Sequence, residues 1–281
     1  MKNNICMIDG HKMWLDDKDS LGLSSNNGIF EPQEIELVKK QVSLGDTVLD
    51  IGANIGYYTL IFAKLVGEHG KVFAFEPDPT NFALLKKNVE MNGYSNVILV
   101  PKAVSNENKK AKLFLCEQNQ GMHRVYNSVF CNESIDIEFL KLDDYFQDEK
   151  ISFIKIDIEG AEYNAIQGML NLLHRNREVK ILTEFSPAAS LENGIDSTDY
   201  VKILVDLGFN IYSVGENIEL VNIDKLYEQL TIVKEVVGDL LKEIDAGLHE
   251  TSIEYLTSLL TKRLESKNYT RPVFENFFCM R

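Results

Sequence analysis

Five short stretches of this 281-residue chain hold residues whose types and spacing suit chemistry, and each closes an apolar run. The first reads Asp50-Ile51-Gly52-Ala53-Asn54-Ile55-Gly56-Tyr57. Its two glycines permit a tight strand-to-helix turn, but their spacing is not the G-x-G-x-x-G of dinucleotide sites. Asp50, just before the loop, would repel a pyrophosphate. It would attract an ammonium or a sulfonium, since opposite unit charges about 4 Å apart gain about 4 kcal/mol at an effective dielectric of 20. S-adenosylmethionine carries both cations and no phosphate. The plainer alternative is a turn that needs glycine and nothing more. The second stretch, Phe75-Glu76-Pro77-Asp78-Pro79, places an acid 26 residues after Asp50. An acid at the tip of a second strand can accept both hydroxyls of a ribose, and the flanking prolines stiffen its turn. Asp50, Gly52, Ala53, Asn54, Gly56, Tyr57, Glu76 and Pro77 are therefore expected to bind the cofactor.

The third stretch, Pro101-Lys102-Ala103-Val104-Ser105, offers Ala103 and Val104 as an adenine wall, or is an ordinary strand exit. The fourth runs Asp157-Ile158-Glu159-Gly160-Ala161-Glu162. Three carboxylates in six residues meet a cation or water, or raise one another's pKa. Asp157 is expected at the cofactor and, with Glu159, in catalysis. Glu162 has the alternative of favouring a helix N-terminus. The fifth stretch ends in Glu184, which with Asp157 could bind Mg²⁺. No Asp-Asn pair completes such a site, so no metal is expected. The remaining candidate is His123, in the run His123-Arg124-Val125-Tyr126: a base, an anion binder and a phenol. His123 is the expected general base for a hydroxyl acceptor, and its alternative is a polar-loop histidine pairing with Glu117 or Asp136.

These stretches need elements to hold them. Residues 4–15 read as a hairpin around Asp9-Gly10, 16–30 as a polar loop, and Pro32 opens a helix. From residue 46 apolar strands alternate with amphipathic helices: TVLDI, KVFAFE, VILVPKAV, FIKID, VKILTEF and FNIYSV. That alternation argues for a parallel sheet covered on both faces. Two further strand-like runs, AKLFLC and IDIEFLKL, interrupt the third crossover. Leu226, Leu230, Val233, Val237, Leu240 and Ile244 recur with a 3.5-residue period. Asp224 is expected to cap that helix and Gly247 to follow it; a second helix repeats the stripe through Ile253, Leu256, Leu260 and Leu264. The expected organisation is an N-terminal extension over 1–45, a sheet domain over 46–223, a helical hairpin over 224–266, and a last strand of the same sheet within 267–281. The hairpin is expected to cover the site, to join two chains as a homodimer, or to bury its stripes on itself.

The charge balance narrows the partners. With 29 Lys and Arg against 43 Asp and Glu, the net charge is −14. Nucleic-acid binding needs clustered bases, and the longest basic run is Lys109-Lys110, so no nucleic acid is expected. No apolar run approaches the roughly 20 residues of a membrane span, and the first residues lack the apolar core of a signal peptide. The four cysteines form no Cys-x-x-Cys pair and are read as reduced thiols of a cytoplasmic protein.

Taken together, DTVLDIGANIGYYTL, VFAFEPDPTNFALLKKNV, NVILVPKAVS, FIKIDIEGAE and the ending NFFCMR resemble the FkbM-type methyltransferases. The resemblance covers about residues 28–215 and the last few. It implies an α/β fold: the seven-stranded Rossmann-like sheet of class I S-adenosylmethionine-dependent methyltransferases, its last strand antiparallel between the fifth and sixth. It also implies methyl transfer to a hydroxyl of a natural product or sugar. Residue by residue, Asp50 and the Gly52–Gly56 loop match the methionine-binding motif, Glu76 the ribose acid and Asp157 the acid at the transfer site. The helical insertion 224–266 departs from the family, which passes more directly between its last two strands. The alternative function is a scaffold or sensor that binds the cofactor without turnover.

Overall fold

The computed structural model describes residues 5–15, 21–23, 28–116, 120–131, 133–248 and 252–281. Most of the polar loop expected over 16–30, and Glu117, lie outside the described residues.

A hairpin of β1 (Ile5–Ile8) and β2 (His11–Trp14) comes first. Asp9 and Gly10 both have positive φ (47° and 85°), as the tight turn requires. Helix α1 (Pro32–Gln41) follows. The alternating part is β3 (Thr47–Ile51), α2 (Tyr57–Val66), β4 (Lys71–Phe75), α3 (Pro79–Met91) and β5 (Val97–Val100). Then come β6 (Ala103–Val104), β7 (Lys110–Leu115), β8 (Glu133–Leu140) and α4 (Leu142–Tyr145). Next are β9 (Phe153–Ile156), α5 (Glu162–Gln167), α6 (Leu170–Arg175), β10 (Lys180–Phe185), α7 (Pro187–Glu192), α8 (Ser197–Asp206) and β11 (Asn210–Ser213). The chain ends with β12 (Glu219–Leu220), α9 (Ile223–Asp245), α10 (Ile253–Ser266) and β13 (Glu275–Met280). No helix among the described residues is long and apolar enough to cross a membrane.

The main sheet has the order β12-β11-β13-β10-β9-β3-β4-β5. β5, β4, β3, β9 and β10 run parallel, and β13 lies antiparallel between β10 and β11. The seven expected strands are thus present, and the two-residue β12 adds an eighth at the edge. The run VILVPKAV, expected as one strand, is two. β5 stays in the main sheet, while β6 joins β8 and β7 in a separate three-stranded sheet. Pro101 sits at the break, where a missing N–H cannot serve a ladder.

Side chains alternate across each strand. Leu49, Ile51, Ile154 and Ile156 pack with α5, α6 and α8 on one face. Val48 and Phe153 pack with α1, α2 and α3 on the other. Because β3, β4, β9 and β10 are parallel, their final residues all reach one edge of the sheet.

Helix α9 is shared between two clusters. Leu226 and Leu230 join the main core, whereas Val233, Val237 and Leu240 pack with Leu256, Leu260 and Leu264 of α10. Val129, Phe130, Ala188 and Leu191 complete that second cluster. The apolar stripe therefore packs against the sheet domain as well as within the hairpin. The helix cap is Asn222, whose side chain accepts from the N–H of Lys225, rather than Asp224 in the first turn.

One expectation about cysteine is overturned. Cys116 and Cys131 form a disulfide, while Cys6 and Cys279 are free. The antiparallel register that pairs Leu115 with Glu133 carries the two cysteines together, which a 15-residue spacing could not announce. A bridge across a loop of that size stabilises by about 3 kcal/mol in the chain-entropy model. The Cys116→Ser/Cys131→Ser double variant should lose about that much in chemical denaturation; an unchanged midpoint would mean the thiols are unpaired in solution.

Candidate active site

The strand tips open into a cavity of about 1150 Å³ at the carboxyl edge. It is lined by Asp50, Gly52, Ala53, Asn54, Tyr57, Glu76, Pro77, Ala103, Val104, His123, Asp157 and Glu159. Gly56 is outside the lining. Its φ is 97°, and a Cβ there would come within 2.8 Å of Leu85, so this glycine serves the turn and its packing on α3. Gly52 has a different reason. A Cβ on it would lie 1.9 Å from the carbonyl oxygen of Asp157, so the loops leaving β3 and β9 pass only because the side chain is absent.

Glu76 is fixed by two backbone donors. Its Oε2 accepts from the N–H of Asn54 (2.8 Å) and its Oε1 from the N–H of Asp78 (2.9 Å). Burial pushes its pKa up to about 8, against the pull of those two donors. Each carboxylate oxygen keeps a second lone pair for a ligand hydroxyl. Asp78 accepts from the N–H groups of Thr80 and Asn81 and so caps α3.

Asp50 is fully buried. In the β3–β9 register it stands directly beside Lys155, on the face turned to α1 and α2. Thr59 donates to its Oδ2 at 2.5 Å, and its buried Oδ1 has no partner. An unsatisfied buried acceptor at the cavity is a group to which a ligand ammonium can donate. Lys155 Nζ donates to Asp157 Oδ2 at 2.9 Å and lies 4.5 Å from the centre of the Tyr58 ring. Burial works against its charge, but Asp157, Asp50 and Glu31 outweigh burial and hold the ammonium above its ordinary range. Tyr58 in turn donates to Glu31 Oε2 at 2.6 Å.

The acids beyond Asp157 form the second group. One carboxylate oxygen from each of Asp157, Glu159 and Glu184 lies within 4.8 Å of the others. Burial pushes Glu159 up to about 8, opposed by Arg124 and reinforced by Asp157 and Glu162. Burial, then the charge of Glu159, puts Glu184 well above the usual carboxylate range, and its buried Oε2 has no partner. Such a set suits a hard cation and equally shares protons among its members. Glu159 itself has φ 54°, a strained position for a residue with a side chain. Glu162, by contrast, turns inward: its Oε1 accepts from the N–H groups of Ile158 and Gly160 and holds the turn.

The segment between β7 and β8 closes one wall. His123 Nδ1 accepts from the backbone N–H of Cys116 at 3.1 Å. Arg124 is buried; its Nη1 donates to Glu192 Oε2, and its Nη2 lies 3.8 Å from Glu159 Oε2. The Tyr126 hydroxyl lies 3.0 Å from the carbonyl oxygens of both Glu159 and Ala189. Arg124 and Tyr126, expected as an anion binder and a phenol, are thus committed to fastening this segment onto the acid-bearing loops. Sequence reasoning missed Lys155, Glu31, Tyr58 and Glu192. For Lys155 a signal existed: a charge inside the otherwise apolar strand FIKI must have a buried partner.

A strand-end acid held by two backbone donors, a second acid with an unpartnered oxygen under a glycine loop, and this strand order define a class I S-adenosylmethionine-dependent methyltransferase fold. Residues 50–211 match the family described as "Methyltransferase FkbM domain", and the chain belongs to that family. It is similar to the hexuronic acid methyltransferase AglP of Haloferax volcanii, 24% identical over 62% of this chain and 67% of that protein. Methyltransferase 1 of Beauveria bassiana is 23% identical over 43% of this chain and 57% of its own length. A protein-L-isoaspartate O-methyltransferase of Methanococcoides burtonii is 42% identical over 21% of this chain and 30% of its own length. The chain thus spans less than two thirds of those last two relatives. Among solved structures, a SAM-dependent O-methyltransferase from Thermotoga maritima aligns with 15% identity and a TM-score of 0.43, over 78% of this chain and 72% of that one.

Proposed function

We propose that this chain transfers a methyl group from S-adenosylmethionine to a hydroxyl of an organic acceptor, a natural product or a sugar. The observation that carries this reading is a single cavity holding both the cofactor acids, Asp50 and Glu76, and the acid group Asp157–Glu159–Glu184. When bound, the cofactor supplies an electrophilic methyl group on a positively charged sulfur. Asp50 would accept from the cofactor ammonium and Glu76 from its ribose hydroxyls, holding it at the strand tips. Ala103 and Val104 wall the adenine.

A hydroxyl acceptor would have to give up its proton on methylation, and a residue of this chain must receive it. His123 is a poor receiver. Its one acceptor nitrogen is used by Cys116, so the neutral ring carries its proton on Nε2. Glu159 is the better base: it lines the cavity, and its raised pKa suits a proton acceptor near neutral pH. The similarity to AglP, named for hexuronic acid methylation, supports a sugar unit in the acceptor.

Transfer of label from methyl-labelled S-adenosylmethionine to a panel of hydroxylated compounds tests the reading; cofactor binding with no transfer to any would favour the scaffold. Glu76→Ala should weaken cofactor binding by about 1.5–3 kcal/mol, the range for bonds to a charged group. Calorimetry reads this directly, and an unchanged dissociation constant would remove Glu76 from the site.

A further inference from the structure

The two ends of the cavity differ in character. The cofactor end is built from acids and backbone. The other end is a wall of Val237, Leu240, Leu241 and Ile244 from α9 with Leu256 and Leu260 from α10. Phe274 continues the wall and is 61% exposed, so the apolar surface runs from inside the cavity to the outside. This wall and Glu159 line the same cavity, and at about 1150 Å³ that cavity exceeds what one drug-sized ligand uses, roughly 300–1,000 Å³. There is room for a nucleoside and a second molecule.

The charges say what that second molecule is not. Ten of the lining residues are carboxylic acids, whereas three are Lys or Arg. Each of those three is already engaged: Lys155 with Asp157, Arg124 with Glu192, and Lys102 with Glu138. An anionic acceptor would meet no uncommitted cation among the described residues, and beside it the buried carboxyls would have to stay protonated. It would also lose hydration against an apolar wall.

We propose that the acceptor is an uncharged amphipathic molecule, with its hydroxyl at Glu159 and a contiguous aliphatic or alicyclic body seated on the α9–α10 wall. The choice of reacting hydroxyl rests on the methyl-transfer reading above; the apolar seat does not. The body is held by burial alone, so affinity grows with the apolar length the wall can cover.

The test uses n-alkyl β-glucosides from methyl to octyl as probes, below their micelle concentrations, titrated calorimetrically into the full chain with and without S-adenosylhomocysteine. Affinity is expected to rise about fourfold per added methylene, from about 0.8 kcal/mol each. Octyl β-glucuronide is expected to bind at least tenfold more weakly than octyl β-glucoside. Leu241→Ser and Ile244→Ser, both half-buried in the wall, should flatten the length series while S-adenosylhomocysteine binds as before. Affinity independent of alkyl length, a glucuronide that binds as tightly as the glucoside, or a length series the two variants leave intact would each overturn the proposal. Failure of the methyl-transfer reading shows separately, as absent S-adenosylhomocysteine binding or as cofactor binding with no label transfer, because the series without S-adenosylhomocysteine reads the wall alone.

Discussion

Glu159→Gln is expected to lower turnover by about 10²–10⁴-fold, the usual contribution of a positioned base, with S-adenosylhomocysteine affinity unchanged. The amide keeps the shape of the carboxyl and removes its ability to take a proton. The pH dependence has a definite sign. A base works deprotonated, and burial pushes Glu159 up to about 8 against the opposing charge of Arg124. The rate kcat/KM should therefore climb with pH and level off above about 8, and Glu159→Gln should abolish the climb. His123→Ala is the decisive companion. Its ring already spends its acceptor nitrogen on Cys116, so turnover should stay within about tenfold of the parent. If His123→Ala instead loses as much as Glu159→Gln and takes the rising limb with it, the histidine is the base.

Lys155→Met is expected to cost about 3–5 kcal/mol of folding stability near neutral pH, the range for breaking a buried ion pair by removing one partner. Lys155 is 4% exposed, and its ammonium balances Asp50, Asp157 and Glu31 at once. Methionine retains the apolar stem but leaves those carboxylates facing one another without a counter-charge. The defect should shrink as pH falls, because protonating a carboxylate removes the uncompensated charge. Lys155→Arg should retain most of the stability. Urea denaturation at pH 5 and pH 8 reads both effects; a Lys155→Met protein as stable as the parent at pH 8 would show that these charges are not coupled.

The glucoside series asks about the wall and the two variants above ask about the acids, so the answers are independent. Leu241 and Ile244 belong to α9, whereas Glu159 and Lys155 belong to β9 and its exit loop. A protein in which the acids behave as expected and the wall does not would be a methyltransferase for a small polar acceptor.

Much of the site is legible in the amino-acid sequence because it lies at strand ends. Asp50, Glu76 and Asp157 each close or directly follow an apolar run of a few residues, and such a run in an alternating chain is a buried parallel strand whose tip faces the ligand edge. Spacing along the chain is enough to group them. The 3.5-residue period of α9 is equally local, and so is the hairpin turn at Asp9-Gly10. Asn276, by contrast, lies 245 residues from Glu31, which it contacts at 3.4 Å, and no periodic pattern encodes that.

By itself the sequence determined the strand and helix order, the acids at the carboxyl edge and the presence of an inserted helical pair. All of these follow from side-chain period and from residues adjacent in the chain. Only the tertiary structure decided that Asp50 stands beside Lys155, because strand register is a contact between segments about 100 residues apart. It alone paired Cys116 with Cys131, through the register of β7 on β8. It alone set the His123 Nδ1 against the backbone N–H of Cys116. And it placed part of the α9 stripe in the lining of the cavity, with Leu226 and Leu230 packed on the sheet domain.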